Sequence, residues 1–192
     1  MQLGVWMGFF IVLVFMLFGV GFIVYGLQFL YSAFAGAPYV SIKRESVQKI
    51  IRAIKKDVMG KRAVELGCGD GRFVRELVRQ TSATGVGIDI NMLVVFLANI
   101  RTPTALRPRL RFVRASIFDV DLCQYEVIYM FLLPPLLHKA AAKIRSERTK
   151  STLIVSHGFL IHPFRKHLIK TIQTPPYKTY VYRLPTRRKK NK

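Results

Sequence analysis

Ala63-Val-Glu-Leu-Gly-Cys-Gly-Asp-Gly-Arg-Phe73 decides how this chain of 192 residues is to be read. It is a short apolar strand ending in an acid, then three glycines at alternate positions, then the start of a helix. Gly67, Gly69 and Gly71 can take backbone angles that a Cβ forbids, and they leave room for a ligand to press on the main chain. A helix that begins at such a turn points free N–H groups at that ligand. A dinucleotide fingerprint would carry its third glycine at position 72, where this chain has arginine.

A second piece follows on schedule. Thr84-Gly-Val-Gly-Ile-Asp-Ile-Asn91 is another short strand ending in an acid, and Asp89 lies eighteen residues beyond Gly71. An acid about 20 residues past a glycine loop, at the tip of the next parallel strand, is placed to accept two ribose hydroxyl hydrogen bonds. The alternative is a cap for a helix from Asn91 to Ile100, and one residue can do both. Strand, glycine turn, helix, strand and acid define a nucleoside-binding, Rossmann-like unit. The alternate-glycine spacing resembles motif I of the class I S-adenosylmethionine-dependent methyltransferases.

Charge is distributed unevenly. The chain has 31 basic and 10 acidic side chains, net +21, and none of them precedes Lys43. Half of the acids, Glu65, Asp70, Asp89, Asp119 and Asp121, lie in or beside the expected cofactor loops. The basic excess implies an anionic neighbour, a membrane surface or a nucleic acid. From Val5 to Tyr31 the chain is apolar apart from Gln28 and a few glycines and tyrosines. As a helix this segment is about 40 Å long, enough to span a hydrocarbon core of roughly 30 Å. Trp6 at one end and Tyr25 and Tyr31 at the other suit the two interfaces.

Lys43, Arg44, Arg52, Lys55 and Lys56 all follow the segment. The positive-inside rule then places the remainder of the chain in the cytoplasm or an organelle matrix. A cleaved signal peptide is the rival, with Ala33-Phe34-Ala35 resembling a cleavage site. The apolar stretch is too long for one and lacks a basic n-region. The expected organisation is an anchor over 1–36, a catalytic domain over 37–185 and a polybasic tail over 186–192. Arg187, Arg188, Lys189, Lys190 and Lys192 in that tail suit a solvated end or anionic lipid. Cys68 and Cys123 have no metal-like spacing to each other or to histidine, which fits a reducing compartment and no metal. Cys68 reads as a small residue in a tight turn.

The remainder alternates as a doubly wound α/β fold does. Helices are expected over Ser46–Val58, Phe73–Gln80, Asn91–Asn99 and Pro135–Arg145. Strands are expected up to Leu66 and over Gly85–Ile90, Leu110–Arg114, Glu126–Phe131 and Thr152–Ser156. A loop covers Thr102–Pro108. An antiparallel hairpin, Leu168–Gln173 with Thr179–Leu184, turns at Thr174-Pro-Pro-Tyr177. The fold class is thus a Rossmann-like class I methyltransferase sheet with helices on both faces, a C-terminal hairpin and one preceding transmembrane helix.

Four segments, Val64-Glu-Leu-Gly-Cys-Gly-Asp-Gly-Arg72, Tyr129-Met-Phe-Leu-Leu-Pro-Pro135, Val155-Ser-His-Gly-Phe159 and Tyr180-Val-Tyr-Arg-Leu-Pro185, occur in order behind the hydrophobic segment. Together they resemble the small membrane-associated protein-lysine methyltransferases typified by the enzymes for ATP synthase c-subunit and adenine nucleotide translocase. The resemblance implies S-adenosyl-L-methionine as cofactor, with Glu65, Gly67, Gly69 and Gly71 cradling its methionine part and Asp89 on its ribose. Cys68 and Ile90 belong to the same cofactor-binding set. Ala115-Ser116-Ile117-Phe118 falls where such enzymes contact adenine. Many carry an acid where this chain has Ser116; its hydroxyl, the main chain of Ile117, or Asp119 after a small shift would serve. A solvated turn is the alternative for Asp119 and Asp121.

Amino methyltransferases of DNA and of glutamine often carry Asn or Asp before Pro-Pro-Tyr, and this chain has Leu133-Pro-Pro-Leu136 instead. The family's proline-rich lead-in is also altered around Ser41–Lys43. The expected reaction is methyl transfer to a lysine amine of a protein substrate at a bilayer, with a membrane protein as the candidate acceptor. Tyr129 and His157 are the candidates for accepting a hydrogen bond or relaying the proton, against plain packing or turn capping. Nucleic acid, a lipid or another small molecule as acceptor, or a non-catalytic scaffold, are the other classes.

Overall fold

A computed structural model of the protein describes residues 2–34 and 41–186. The chain divides into two compact units, Met1–Pro38 and Tyr39–Lys192. In the first, helix α1 runs over Gln2–Phe34. Within it Trp6–Leu27, with mean hydropathy 2.8, is long and apolar enough to cross a membrane. Its large side chains over that span are exposed. The expected cleavage site, the boundary at 36–37 and the basic tail at 187–192 fall at least partly outside the described residues.

The second unit is a seven-stranded sheet. Its strands are β1 (Arg62–Leu66), β2 (Thr84–Asp89), β3 (Leu110–Arg114), β4 (Val127–Met130), β5 (Thr152–His157), β6 (Leu168–Thr174) and β7 (Tyr177–Leu184). Their order is β3-β2-β1-β4-β5-β7-β6. The first five are parallel, and β7 enters antiparallel between β5 and β6. The helices are α2 (Arg44–Val58), α3 (Arg72–Gln80), α4 (Met92–Ile100) and α5 (Pro134–Glu147).

Each element has a local cause. α2 buries Val47, Ile50, Ile51, Ile54 and Val58 along one stripe, with Glu45 in its first turn and Lys55 and Lys56 in its last, each matching the helix dipole. α5 starts on Pro134 and Pro135, where a missing N–H does no harm. The two prolines therefore serve a helix start. α3 lies close on the sheet because Gly85 has no side chain: a Cβ there would sit 2.6 Å from Val74 Cγ2 and 2.7 Å from Val78 Cγ2. Two larger cores result. One joins α2 and Phe73 and Leu77 of α3 to Tyr129 and Val155, and the other joins α5 to Ile128, Ile154 and Tyr182.

The elements lie within a few residues of their expected places. Two details differ. The hairpin strands extend to Thr174 and Tyr177, leaving a two-residue turn, Pro175-Pro176. His162–His167, unassigned from sequence, forms a 3₁₀ helix that buries only Phe164 and so leaves little periodic signal.

Candidate cofactor and acceptor site

β1 and β4 are neighbours at the point where strand order reverses, so a crevice opens beyond their carboxyl ends. The glycine loop sits there. Gly67, Gly69 and Gly71 have φ of 71°, 50° and 71°. The N–H groups of Gly67 and Cys68 both donate to Ile88 O at 2.9 Å. Gly69 N–H donates to Asp89 Oδ2 at 2.8 Å, and Asn91 N–H donates to Asp89 Oδ1 at 2.9 Å. Asp89 thus ties the loop to the end of β2, and a carboxylate with about four lone-pair sites can also accept from a hydroxyl. The cap of α4 is Asn91, whose side chain accepts from Leu93 and Val94 N–H.

The start of α3 differs from the expectation of free N–H groups. Glu65 Oε2 accepts from Val74 N–H at 3.0 Å, and Asp70 Oδ1 accepts from Arg72 N–H at 3.3 Å. Carboxylates at a helix N-terminus satisfy both the open donors and the dipole. Three acids, Glu65, Asp70 and Asp89, thus bond the loop and the helix start. Burial pushes the Glu65 carboxyl well above its ordinary range, against the pull of the Val74 N–H, and the nearby Asp70 and Asp89 add to the rise. Burial also raises Asp89. Such a loop offers carboxyl acceptors to a ligand with a cationic head and a ribose.

Asp70 is held by Arg72 at 3.5 Å and Arg101 at 3.3 Å. Arg72 also donates to Ile42 O at 2.8 Å, joining the altered lead-in at Ser41–Lys43 to the loop. Cys68 is 5% exposed, and burial with the neighbouring acids raises its thiol, so it is no nucleophile. Ile90 is half-buried beside Asp89. The Ser116 hydroxyl accepts from Phe118 N–H at 3.2 Å, Ile117 is buried in the α5-side core, and Asp119 is exposed on the same turn.

Tyr129 stands opposite Glu65 in the β1–β4 register. Its ring stacks on Phe73 with centroids 3.5 Å apart, and its buried hydroxyl has no hydrogen-bond partner. Desolvation raises its pKa well above the ordinary value, with Glu65 adding to it. A buried orphan donor contributes nothing to the fold that Phe would not. Tyr129→Phe is therefore expected to keep or gain stability, by up to about 1 kcal/mol in denaturant unfolding. A loss larger than that would mean the hydroxyl has a structural partner.

His157 ends β5 and is 2% exposed, with Nδ1 2.7 Å from Thr179 Oγ1 of β7. Burial lowers its pKa to about 4. The ring packs edge-on with Phe131 and Tyr177, at centroid distances of 4.5 and 5.6 Å. Thr179 and Tyr177 carried no sequence signal as neighbours of His157, because only the hairpin's return brings them to β5. The folded state keeps the imidazole neutral below its unfolded pKa of about 6.5. Unfolding then takes up a proton between pH 6.5 and 4, so stability falls as pH drops through that window. Relative to His157→Gln, the wild type is expected to lose at most about 3 kcal/mol from pH 7 to 4. Parallel losses in both proteins would place the titration elsewhere. Among the described residues no group of three or more His, Cys, Asp or Glu is placed to hold a metal.

This strand order, with a glycine loop and an acid-ended second strand at the switch point, is that of a class I methyltransferase fold. Residues 65–167 match the family described as the ANTKMT methyltransferase domain, and the chain belongs to that family. A protein-lysine N-methyltransferase of Saccharolobus islandicus is 31% identical over 137 residues, 69% of this chain and 84% of the relative. An ATP synthase c-subunit lysine N-methyltransferase of Caenorhabditis elegans is 27% identical over 127 residues, 61% of this chain and 64% of that relative's length. An RNA methyltransferase from Salinibacter ruber, solved with S-adenosyl-L-homocysteine, shares the fold. Its TM-score is 0.70 at 23% identity, over 79% of this chain and 98% of that one.

Proposed function

We propose that the protein is a membrane-anchored, S-adenosylmethionine-dependent protein-lysine N-methyltransferase. The observation that carries the reading is the acid-lined glycine loop in a chain of this family. The cofactor supplies an electrophilic methyl group on a sulfonium centre. Glu65 and the unpartnered Tyr129 hydroxyl face its cationic amino-acid end, Gly67, Cys68, Gly69 and Gly71 give it close main-chain approach, and Asp89 with Ile90 holds the ribose. Ser116, the main chain of Ile117 and Asp119 are the adenine-side candidates.

The acceptor side is the ring cluster of Phe131, His157 and Tyr177 at the strand ends. An amine with an ordinary pKa near 10.4 attacks only when neutral. Aromatic surroundings strip its water and favour that form. His157, with a pKa of about 4, is too weak a base to hold the departing proton at neutral pH. It orients the amine as a neutral hydrogen-bond acceptor, and the proton leaves to water. The rate is accordingly expected to climb with pH through neutrality with no inflection near 6.5, the ordinary His value. An inflection there, absent in His157→Gln, would make His157 the base.

Two features support the membrane: the Trp6–Leu27 segment and the absence of charge before Lys43. On this reading 1–36 is the anchor, 37–185 the catalytic domain on the cytoplasmic or matrix side, and 186–192 a lipid-facing basic tail. Among the relatives, the one named for the ATP synthase c-subunit favours a membrane-protein lysine. The net charge of +21 is the specific observation behind a second reading, a nucleic-acid or lipid acceptor. That reading requires substrate binding to weaken steeply with salt, by counterion release. Incubation of the full chain with methyl-labelled cofactor and separate membrane, RNA and lipid fractions decides between them. Label in membrane protein is expected, and label confined to RNA or lipid would reject the lysine reading.

A further inference from the structure

We propose that the outer face of α4, with the arginines around its C-terminal end, is a lipid-docking surface that lays the catalytic domain on an anionic bilayer. The proposal rests on the membrane reading above and adds a second contact to it. α4 has no charged residue. Met92, Phe96 and Ile100, at i, i+4 and i+8, are 45, 59 and 60% exposed, with Leu97 beside them at 41%. Four of the ten exposed large apolar side chains described between residues 41 and 186 therefore lie on this one nine-residue helix. Val95 and Ala98 are its buried contacts with the domain. A helix at a water-facing surface normally turns a polar face outward, and a contiguous apolar stripe there marks a binding surface.

The surroundings say what covers it. From Ile90 to Phe118 the chain has five arginines and no acid. Arg101 continues the Leu93–Leu97 row, Arg107 is exposed in the loop that follows, and Arg114 of the neighbouring edge strand β3 reaches the start of α4, its Nε donating to Ile90 O. Arg109 is different, since it donates inward to Thr81 O and Ala83 O. Beside the C-terminal end of α4 opens a cleft of 660 Å³. Arg44, Arg72, Arg75, Arg79 and Arg101 line it against Asp70 and Glu76. Arg75 Nε is buried there without a partner.

An apolar stripe bordered by arginines is the pattern of an element lying in a lipid interface, with the cleft accepting phosphate head groups. A second copy of the chain is the poorer occupant, because a two-fold contact would set these arginines against themselves. A nucleic acid would satisfy the arginines and leave Met92, Phe96 and Ile100 in water.

Trp6 is the only tryptophan, so the face can carry a unique reporter. Full chains bearing Trp6→Phe with Phe96→Trp, or Trp6→Phe with Ile169→Trp on the far edge strand, are reconstituted into vesicles. The vesicles are phosphatidylcholine, with or without phosphatidylglycerol, and the lipids are plain or brominated. Flotation first reports the α1 anchor by itself. At position 96 emission is expected to move to shorter wavelength and to lose most of its intensity to brominated, phosphatidylglycerol-containing lipid, while position 169 stays unquenched. Replacing Arg101 and Arg107 with Gln should lower the docked-to-undocked ratio by about fivefold per charge. Floating protein with no quenching at 96, or equal quenching at 96 and 169, overturns the proposal and leaves the anchor standing. A wavelength shift at 96 without bromine quenching also overturns it, because a protein is then the occupant.

Discussion

Gly71→Ala is expected to lose about 2–5 kcal/mol of stability together with all measurable cofactor binding. Two effects add. Gly71 has φ of 71°, which a residue with a Cβ adopts at a cost of about 1–2 kcal/mol. The new methyl would also overlap the Phe112 ring on β3, and displacing a packed ring costs about 1–3 kcal/mol more. Gly60→Ala is the matched control: its φ is 69°, and nothing lies within 4 Å of the added Cβ. It should lose only the conformational part and leave binding intact. Equal losses at the two positions would mean that Phe112 yields freely. Retained binding in Gly71→Ala would mean that the ligand does not approach the loop backbone.

Asp89→Ala is expected to weaken S-adenosylmethionine binding at least about 100-fold, as calorimetry on the full chain would read it. Two charge-assisted bonds to ribose hydroxyls, at about 1.5–3 kcal/mol each, set that floor. The same carboxylate holds Gly69 and Asn91 N–H, so the loop also loses its tie to β2. Asp89→Asn separates the two roles in part. An amide accepts only through its oxygen, so one of the two N–H groups must face an NH₂. Unchanged affinity in Asp89→Ala would mean that the ribose acid lies elsewhere.

Much of this was legible because class I folds write their cofactor site locally. Gly67, Gly69, Gly71 and Asp89 fall within 23 consecutive positions of the sequence, and the strands around them are short apolar runs that could hardly be anything else. What the sequence hides is non-local. The order of the hairpin strands along the chain does not reveal that β7 lies between β5 and β6, so the Thr179 partner of His157 was invisible. The acids of the loop are visible as residues, but their work is not. Glu65 and Asp70 close the helix start that free N–H groups were expected to leave open. Tyr129 stands out in the sequence by its place at a strand end. Its stacking on Phe73 and its unpartnered hydroxyl follow from side-chain packing between β4 and α3, which no spacing rule encodes.

Methyl transfer to lysine is the reaction proposed for this chain. Native membranes incubated with the full chain and a deuterium-labelled methyl donor, then mapped by mass spectrometry, test it most directly. Asp89→Ala serves as the matched control. Labelled methyl groups on a lysine side chain of a membrane protein, absent with the variant, are the predicted result. Label on another residue type, or lysine label that persists undiminished with Asp89→Ala, would contradict it.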